Sequence, residues 1–120
     1  MSIAFVFTNY NNSGFTEDAI DSINRIPDCD ANIIIVDNAS KRESIDHLVK
    51  IGEKNSNVHV IFNKENVGYF HGLNVGIDYV RLNLPETEYY VVGNNDLVFA
   101  PDFMDSIRKN EHLFDRYPVI

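Results

Sequence analysis

The sequence predicts an α/β fold in which a mostly parallel sheet of about four to five strands carries helices on both faces. Four short apolar runs, rich in β-branched and aromatic residues, alternate with segments whose apolar residues recur at helical spacing. Each run ends abruptly in Asn, Asp, Ser, Thr or Gly residues, as a buried strand does when it enters a loop. Successive strand–helix units favour parallel strands joined by right-handed crossovers.

The four strands are predicted from continuous apolar runs, which are typical of parallel strands covered on both faces. These runs are residues 3–7, 32–36, 58–62 and 89–92. A fifth strand is expected to begin near residues 117–120, where the sequence stops. We therefore interpret residues 1–120 as a single domain whose fold continues beyond Ile120.

The first two helices are predicted after the first two strands. The first has Glu17 and Asp18 in its opening turn, where the helix dipole favours acidic side chains, and Pro27 ends it. Its predicted apolar face is Phe15, Ala19, Ile20, Ile23 and Ile26. The predicted face of the second helix is Ile45, Leu48, Val49 and Gly52.

Two further helices are predicted in the second half of the chain. The first of them has an apolar face made of Leu73, Gly76, Ile77, Val80 and Leu84. Pro101 suits the first position of the last helix, since a proline there loses no helical hydrogen bond. The buried side of that last helix is predicted to be Phe103, Met104, Ile107 and Phe114.

Composition excludes several classes of function. Ten Lys and Arg residues against eighteen Asp and Glu residues give a net charge of -8, which disfavours nucleic acid as a partner but permits a small phosphorylated ligand. A single cysteine, Cys29, without zinc-like spacing of Cys and His indicates a reducing, cytoplasmic compartment. No apolar run approaches the roughly 20 residues of a membrane-spanning helix.

The polar groups that follow the strands predict a small-molecule site. Ligands of open parallel sheets bind outside the carboxyl ends of the strands, at the point where the strand order reverses. The chain lacks both the G-x-G-x-x-G dinucleotide fingerprint and the G-x-x-x-x-G-K-[ST] phosphate loop. These absences favour a nucleotide held by side chains and a metal ion rather than by a glycine-rich loop.

Four motifs, in register along the whole chain, carry a family resemblance. They are TNYN at residues 8–11, VDNAS at 36–40, ENVGYFHGLNVG at 65–76 and NND at 94–96. This set resembles the family 2 glycosyltransferases, whose Rossmann-like fold is called GT-A. The stretch from Asn66 to Gly76 is most similar to the rhamnosyltransferase-like branch of that family.

The resemblance implies a nucleotide site at the ends of the first two strands. Thr8, Asn9 and Tyr10 would line the pocket, with the Tyr10 ring against the base; a core position for that ring is the alternative. Asp37 would hydrogen-bond the imide edge of uracil or thymine. The alternative for Asp37 is a turn residue or a helix cap, a common use of Asp in such a segment.

The resemblance further implies that Asn66 and Gly68 shape the loop beside the ribose and diphosphate. For Gly68, a positive-φ turn before a helix is a compatible interpretation. Gly72 and Gly76 are explained by close packing on the sheet and are assigned no ligand role.

Asp96 is the predicted metal ligand. It stands at the last position of the family's D-x-D signature, where a Mg²⁺ or Mn²⁺ ion would stabilise the departing diphosphate. Asn94 and Asn95 occupy the first two positions and are predicted to bind the nucleotide without adding charge. The alternative is a purely structural turn of type I′ at Asn94 and Asn95.

The resemblance also implies a reaction. The parent protein would be a cytoplasmic enzyme of polysaccharide biosynthesis, with an association to the inner face of the membrane left open. It would transfer a sugar from a UDP- or dTDP-linked donor to a glycan or lipid-linked glycan acceptor with inversion.

The catalytic base is expected beyond Ile120, so we predict that the chain alone is inactive and that the surface left by the missing part favours self-association. The alternatives are a non-catalytic nucleotide- or sugar-binding module and a protein-interaction module.

Overall fold

The computed structural model describes residues 2–109. Strands and helices alternate strictly along this part of the chain. In chain order they are β1 (Ser2–Asn9), α1 (Ser13–Asn24), β2 (Asp30–Asp37), α2 (Arg42–Lys54), β3 (Val58–Phe62), α3 (Tyr69–Asn83), β4 (Tyr89–Asn94) and α4 (Phe103–Lys109).

The four strands form one parallel sheet in the order β3-β2-β1-β4. The register aligns their carboxyl ends, since Asn9 lies opposite Asp37 and Thr8 lies opposite Asn94. The polar residues that follow the strands therefore meet at one edge of the sheet. The predicted fold class is confirmed.

The sheet separates two apolar cores. On one face, Phe5 and Phe7 of β1 pack with residues of α1, α2 and α4. On the other face, Val6 of β1 and Ile34 of β2 pack with α3. The direction of the crossovers explains this division. The first two steps go towards β3 and the third goes back across the sheet to β4, so right-handed crossovers place α3 on the opposite face from α1 and α2.

Helix α3 approaches the sheet closely because it carries glycine at its contact positions. A Cβ atom on Gly76 would collide with the side chain of Val6 and would lie 3.1 Å from Val36 Cγ2. A Cβ atom on Gly72 would lie 2.9 Å from Thr8 Cγ2. The predicted packing role of both glycines is confirmed.

The predicted faces of two helices and the predicted start of a third need correction. Phe15 is 57% exposed and Val49 is 42% exposed, whereas Thr16 and Ser44 are buried. The physical reason is that both buried hydroxyls take part in hydrogen bonds beneath the helices, which the apolar periodicity does not reveal. Pro101 precedes α4 by two residues instead of opening it. Phe114 lies outside the described residues.

Candidate functional site

The strand order defines a crevice between β1 and β4. From β1 the chain crosses to β2 on one side, while β4 pairs with β1 on the other side. Ligands of open parallel sheets bind at such a switch point, beyond the carboxyl ends of the strands. Asn9 ends β1 and Asn94 ends β4, so the TNYN and NND motifs flank this crevice.

A buried polar network underlies the crevice, with Asn9 at its centre. The Nδ2 group of Asn9 donates to Asp37 Oδ1 at 3.0 Å and to Ser44 Oγ at 3.1 Å. Its Oδ1 atom accepts a hydrogen bond of 2.8 Å from Thr16 Oγ1. One amide thus joins β1 to β2, α1 and α2. Because the Asn9 side chain is fully engaged in this network, the predicted contact of Asn9 with the nucleotide would be made by its backbone.

Asp37 is fully buried, with 0% of its surface exposed. Its Oδ1 atom accepts from Ser40 Oγ at 2.6 Å, and its Oδ2 atom accepts from Ser40 N at 3.1 Å. Ala39 takes a positive φ of 60° within this turn. Asp37 stabilises the turn without capping α2, whose N-cap is Lys41 with no side-chain hydrogen bond. Hydrogen bonding to the base by Asp37 stays a prediction that requires this turn to open.

Asn95 is also buried, with 5% of its surface exposed. It forms a reciprocal amide pair with Asn12, in which Asn95 Nδ2 donates to Asn12 Oδ1 at 2.9 Å and Asn12 Nδ2 donates to Asn95 Oδ1 at 3.1 Å. Asn95 Nδ2 also lies 2.7 Å from Thr16 Oγ1. The NND turn is therefore attached to the loop that follows β1.

The type I′ alternative for Asn94 and Asn95 is wrong. A type I′ turn requires positive φ at both central residues. Among the described non-glycine residues, only Asn11, Asp28 and Ala39 have positive φ. The buried side-chain contacts of Asn95, rather than a left-handed backbone, hold this turn.

Three side chains at the crevice face the solvent. Tyr10 is 53% exposed, so the alternative of a core aromatic is wrong. Asn94, the last residue of β4, and Asp96, two residues further on, are exposed as well. Asp96 makes no hydrogen bond or ion pair with another residue in the described range. Its carboxylate is therefore available to a ligand.

The loop before α3 borders the site on its other side. Gly68 has a φ of 85°, which confirms the predicted positive-φ turn, and its N–H donates to Asn66 Oδ1 at 2.9 Å. Asn38 Nδ2 donates to the Gly68 carbonyl at 3.2 Å, and Asn63 Nδ2 donates to Asn38 Oδ1 at 3.0 Å. Asn38 therefore fastens this loop to the carboxyl end of β2.

Five residues of the site were not predicted from the sequence. Their shared property is a side chain that links two loops or a loop to a helix: Asn12, Thr16, Asn38, Ser44 and Asn63. Thr16 and Ser44 did carry a signal, because each lies four residues before a buried apolar residue of its helix. A polar residue on an apolar face indicates a buried partner.

The donor set at the NND turn suits a hard divalent cation that the substrate helps to hold. Such a cation prefers oxygen ligands and is commonly bound by one or two carboxylates together with phosphate and water. Asp96 supplies one carboxylate. Residues 2–109 contain no group of three or more His, Cys, Asp or Glu side chains that could hold a metal without a substrate.

Cys29 lies at the opposite, amino edge of the sheet. Burial raises the pKa of its thiol, and the neighbouring Asp30 raises that pKa further. A raised pKa keeps the sulfur protonated near neutral pH, so Cys29 is a poor nucleophile, as the acidic neighbours predict.

Each edge of the sheet also has a hollow. The hollow at the amino edge has a volume of about 310 Å³ and is lined by Asp30 and Asn32 among others. None of the predicted site residues lines it. The one at the carboxyl edge, of about 400 Å³, is lined by Asn11, Asn12 and Phe15 among others.

None of the helices in the described range has the length and apolar character needed to span a bilayer.

Comparison with known proteins identifies the class. Residues 4–110 match the family model of glycosyl transferase family 2. The chain belongs to this family, which confirms the predicted resemblance to the family 2 glycosyltransferases. An uncharacterized glycosyltransferase of Haemophilus influenzae is 24% identical over 115 residues, which cover 92% of this chain and 34% of that protein.

Solved structures of glycosyltransferases share the fold. The mannosyltransferase PcManGT from Pyrobaculum calidifontis, in complex with GDP-Man and Mn²⁺, matches with a TM-score of 0.73 at 19% identity, covering 90% of this chain and 31% of that one. TarS 1-349 from S. aureus, in complex with UDP-GlcNAc, matches with a TM-score of 0.72 at 15% identity, covering 97% and 32%. The chain thus has the GT-A fold and spans about a third of the length of these relatives.

Proposed function

We propose that the carboxyl edge of this sheet binds the nucleoside diphosphate part of a sugar donor. The proposal depends on one observation: exposed Tyr10, Asn94 and Asp96 converge at the switch point between β1 and β4, above a buried polar network. The complexes of PcManGT with GDP-Man and of TarS with UDP-GlcNAc support the proposal by their shared fold.

The base and the diphosphate would lie against different loops. The exposed ring of Tyr10 offers an aromatic face to the base. The amino end of α3 has no side-chain cap and no acidic residue in its first turn. Its free N–H groups and the helix dipole favour a phosphate, and Gly68 lets that phosphate approach because it has no Cβ. Asn66 holds the loop in this shape through the Gly68 N–H.

Asp96 and Asn94 would hold the reacting end of the donor. Asp96 would bind Mg²⁺ or Mn²⁺ together with the diphosphate oxygens, and the ion would supply Lewis-acid stabilisation of the departing charge. Asn94 donates to or accepts from a ribose or sugar hydroxyl. Because Asn94 and Asn95 carry no charge, we expect a weaker metal site than two carboxylates would give.

The whole protein is proposed to transfer the sugar to a hydroxyl of a glycan or lipid-linked glycan, with inversion. Direct displacement requires a base that takes the proton of the acceptor hydroxyl. We assign this base to no residue of the described range. Donor binding is therefore the part of this reaction that we propose for residues 2–109.

Thermal unfolding tests the proposal. The chain is heated with UDP, dTDP, GDP or ADP, each with Mn²⁺ or with EDTA. A ligand at a hundred times its Kd adds about 2.7 kcal/mol, which raises the Tm by several degrees. We expect the rise with UDP or dTDP to be larger in Mn²⁺ than in EDTA, and Asp96→Asn should reduce the rise in Mn²⁺ to the one seen in EDTA.

The matched control is Asp102→Asn, which removes the same charge from another exposed residue. It should retain the full rise in Tm. A wild-type chain whose Tm responds to none of the four nucleotides would overturn the proposal.

A further inference from the structure

We infer that Asn12 and Asn95 are positioning residues, which keep the Tyr10 loop and the Asp96 turn in a fixed relation to each other. The inference rests on the proposed function, because it concerns the two sides of the same nucleotide site. It assigns a role to Asn12, and it assigns to Asn95 an indirect role in place of a direct side-chain contact with the nucleotide.

The amide pair joins segments that are 83 residues apart in the chain. Within the pair, each amide donates one hydrogen bond to the other and accepts one from it, at 2.9 and 3.1 Å. A reciprocal pair of this kind sets both the distance and the relative orientation of the two side chains. It therefore constrains more than a single hydrogen bond would.

Each member of the pair is tied to a residue of the proposed site. Asn12 Oδ1 also accepts from Tyr10 N at 3.0 Å, so the backbone that presents the Tyr10 ring depends on Asn12. Asn95 lies between Asn94 and Asp96 in the chain. Because its buried side chain is immobilised, the peptide units that present Asn94 and Asp96 are immobilised with it.

Thr16 anchors the pair to the core. Its Oγ1 atom lies 2.7 Å from Asn95 Nδ2 and donates to Asn9 Oδ1 at 2.8 Å. Asn9 in turn donates to Asp37. No buried side-chain nitrogen or oxygen in the described range lacks a hydrogen-bond partner. A fully satisfied buried network resists rearrangement, since any shift leaves a polar group without a partner.

The two sides of the site should respond differently to substitution. Loss of Asn95 releases the Asp96 turn and should weaken mainly the metal-dependent part of nucleotide binding. Loss of Asn12 releases that turn and also frees Tyr10 N, so it should weaken binding with and without metal. A merely structural role for either amide would lower the Tm without separating these two effects.

Calorimetric titration of Asn12→Ala, Asn95→Ala and the double variant tests the inference. The probe is whichever of UDP, dTDP, GDP and ADP binds the wild-type chain most tightly, titrated in Mn²⁺ and in EDTA. Groups that orient a metal ligand typically change affinity by 10–100-fold. We expect Asn95→Ala to bind about tenfold more weakly in Mn²⁺ and to stay within about twofold of wild type in EDTA.

Asn12→Ala should lose about tenfold in Mn²⁺ and a few-fold in EDTA. The double variant should bind no more than about twofold more weakly than Asn12→Ala, because residues that act as a pair are not additive. Asn24→Ala is the matched control. Asn24 also exchanges amide hydrogen bonds, with Asn55 and Asn57, but near the amino edge of the sheet.

The outcomes separate the inference from the proposed function. A folded Asn95→Ala variant with wild-type affinity in Mn²⁺ overturns the inference, while metal-dependent binding by the wild type leaves the proposed function standing. A wild-type chain that binds no nucleotide overturns both. If Asn95→Ala fails to fold, Asn12→Ala decides, because Asn12 is only half-buried. Wild-type affinity in that variant overturns the inference equally.

Discussion

Helix α3 lies so close to the sheet at Gly76 that one added methyl group should destabilise the protein measurably. The Cβ of Gly76→Ala would collide with Val6 and lie 3.1 Å from Val36 Cγ2, and both valines are fully buried on central strands. Overpacking of this kind costs about 1–3 kcal/mol. We expect the upper end of that range because the valine side chains are short, branched and confined, so they cannot move aside. Alanine also has a higher helix propensity than glycine, which offsets up to about 1 kcal/mol of this cost.

The net loss in the free energy of unfolding is therefore about 2 kcal/mol, which corresponds to a Tm lowered by roughly 8 °C in a domain of this size. Circular dichroism at 222 nm during heating, with urea unfolding as a second measurement, gives both quantities. Gly14→Ala is the matched control, since its Cβ would meet nothing within 4 Å. It should leave the Tm unchanged or raise it by a few degrees. A Gly76→Ala variant that melts at or above the wild-type temperature would show that the added methyl group is accommodated without strain.

Two further predictions concern the buried polar groups. Asn9→Ala should lower the free energy of unfolding by about 3 kcal/mol, because it removes three buried hydrogen bonds, with Asp37, Ser44 and Thr16, worth about 1 kcal/mol each; a urea midpoint equal to that of Asn24→Ala would contradict this. Burial lowers the pKa of His59 below its ordinary value of 6.5. The unfolded chain then binds the proton more tightly, so the stability that neutral His59 contributes is present above pH 6.5 and is lost as the pH falls towards the lowered pKa. Urea midpoints from pH 7.5 to 5.5 should therefore fall more steeply in the wild type than in His59→Gln, and parallel slopes would disprove the role of His59.

Much of the fold could be predicted because the apolar pattern has a direct physical cause. Strands covered on both faces need apolar residues at every position, as in residues 33–36, and these are fully buried in the structure. The exposed Phe15 and the buried Thr16 show where the pattern fails. Periodicity counts apolar residues, whereas the burial of Thr16 depends on a hydrogen bond to Asn9 that only the folded chain brings within reach.

The sequence predicted which residues form the site but not how they are arranged in space. The sequence placed Tyr10, Asp37 and Asp96 after three different strands, and the parallel register brings those strand ends to one edge. It could not show that Asp37 lies beneath the surface while Tyr10 and Asp96 lie on it. Exposure depends on which neighbouring loop covers a residue, and those loops come from distant parts of the chain.

Three features follow from the sequence alone: the alternation of strands and helices, the glycines that let α3 approach the sheet, and the resemblance to the family to which the chain belongs. These features depend on local spacing, on residue size and on motifs that stand in order along the chain. The contact between Asn12 and Asn95, and the link through Thr16 to Asn9, appear only in the folded chain. Such contacts link residues up to 83 positions apart, and they arise because β4 pairs with β1 at the switch point of the sheet.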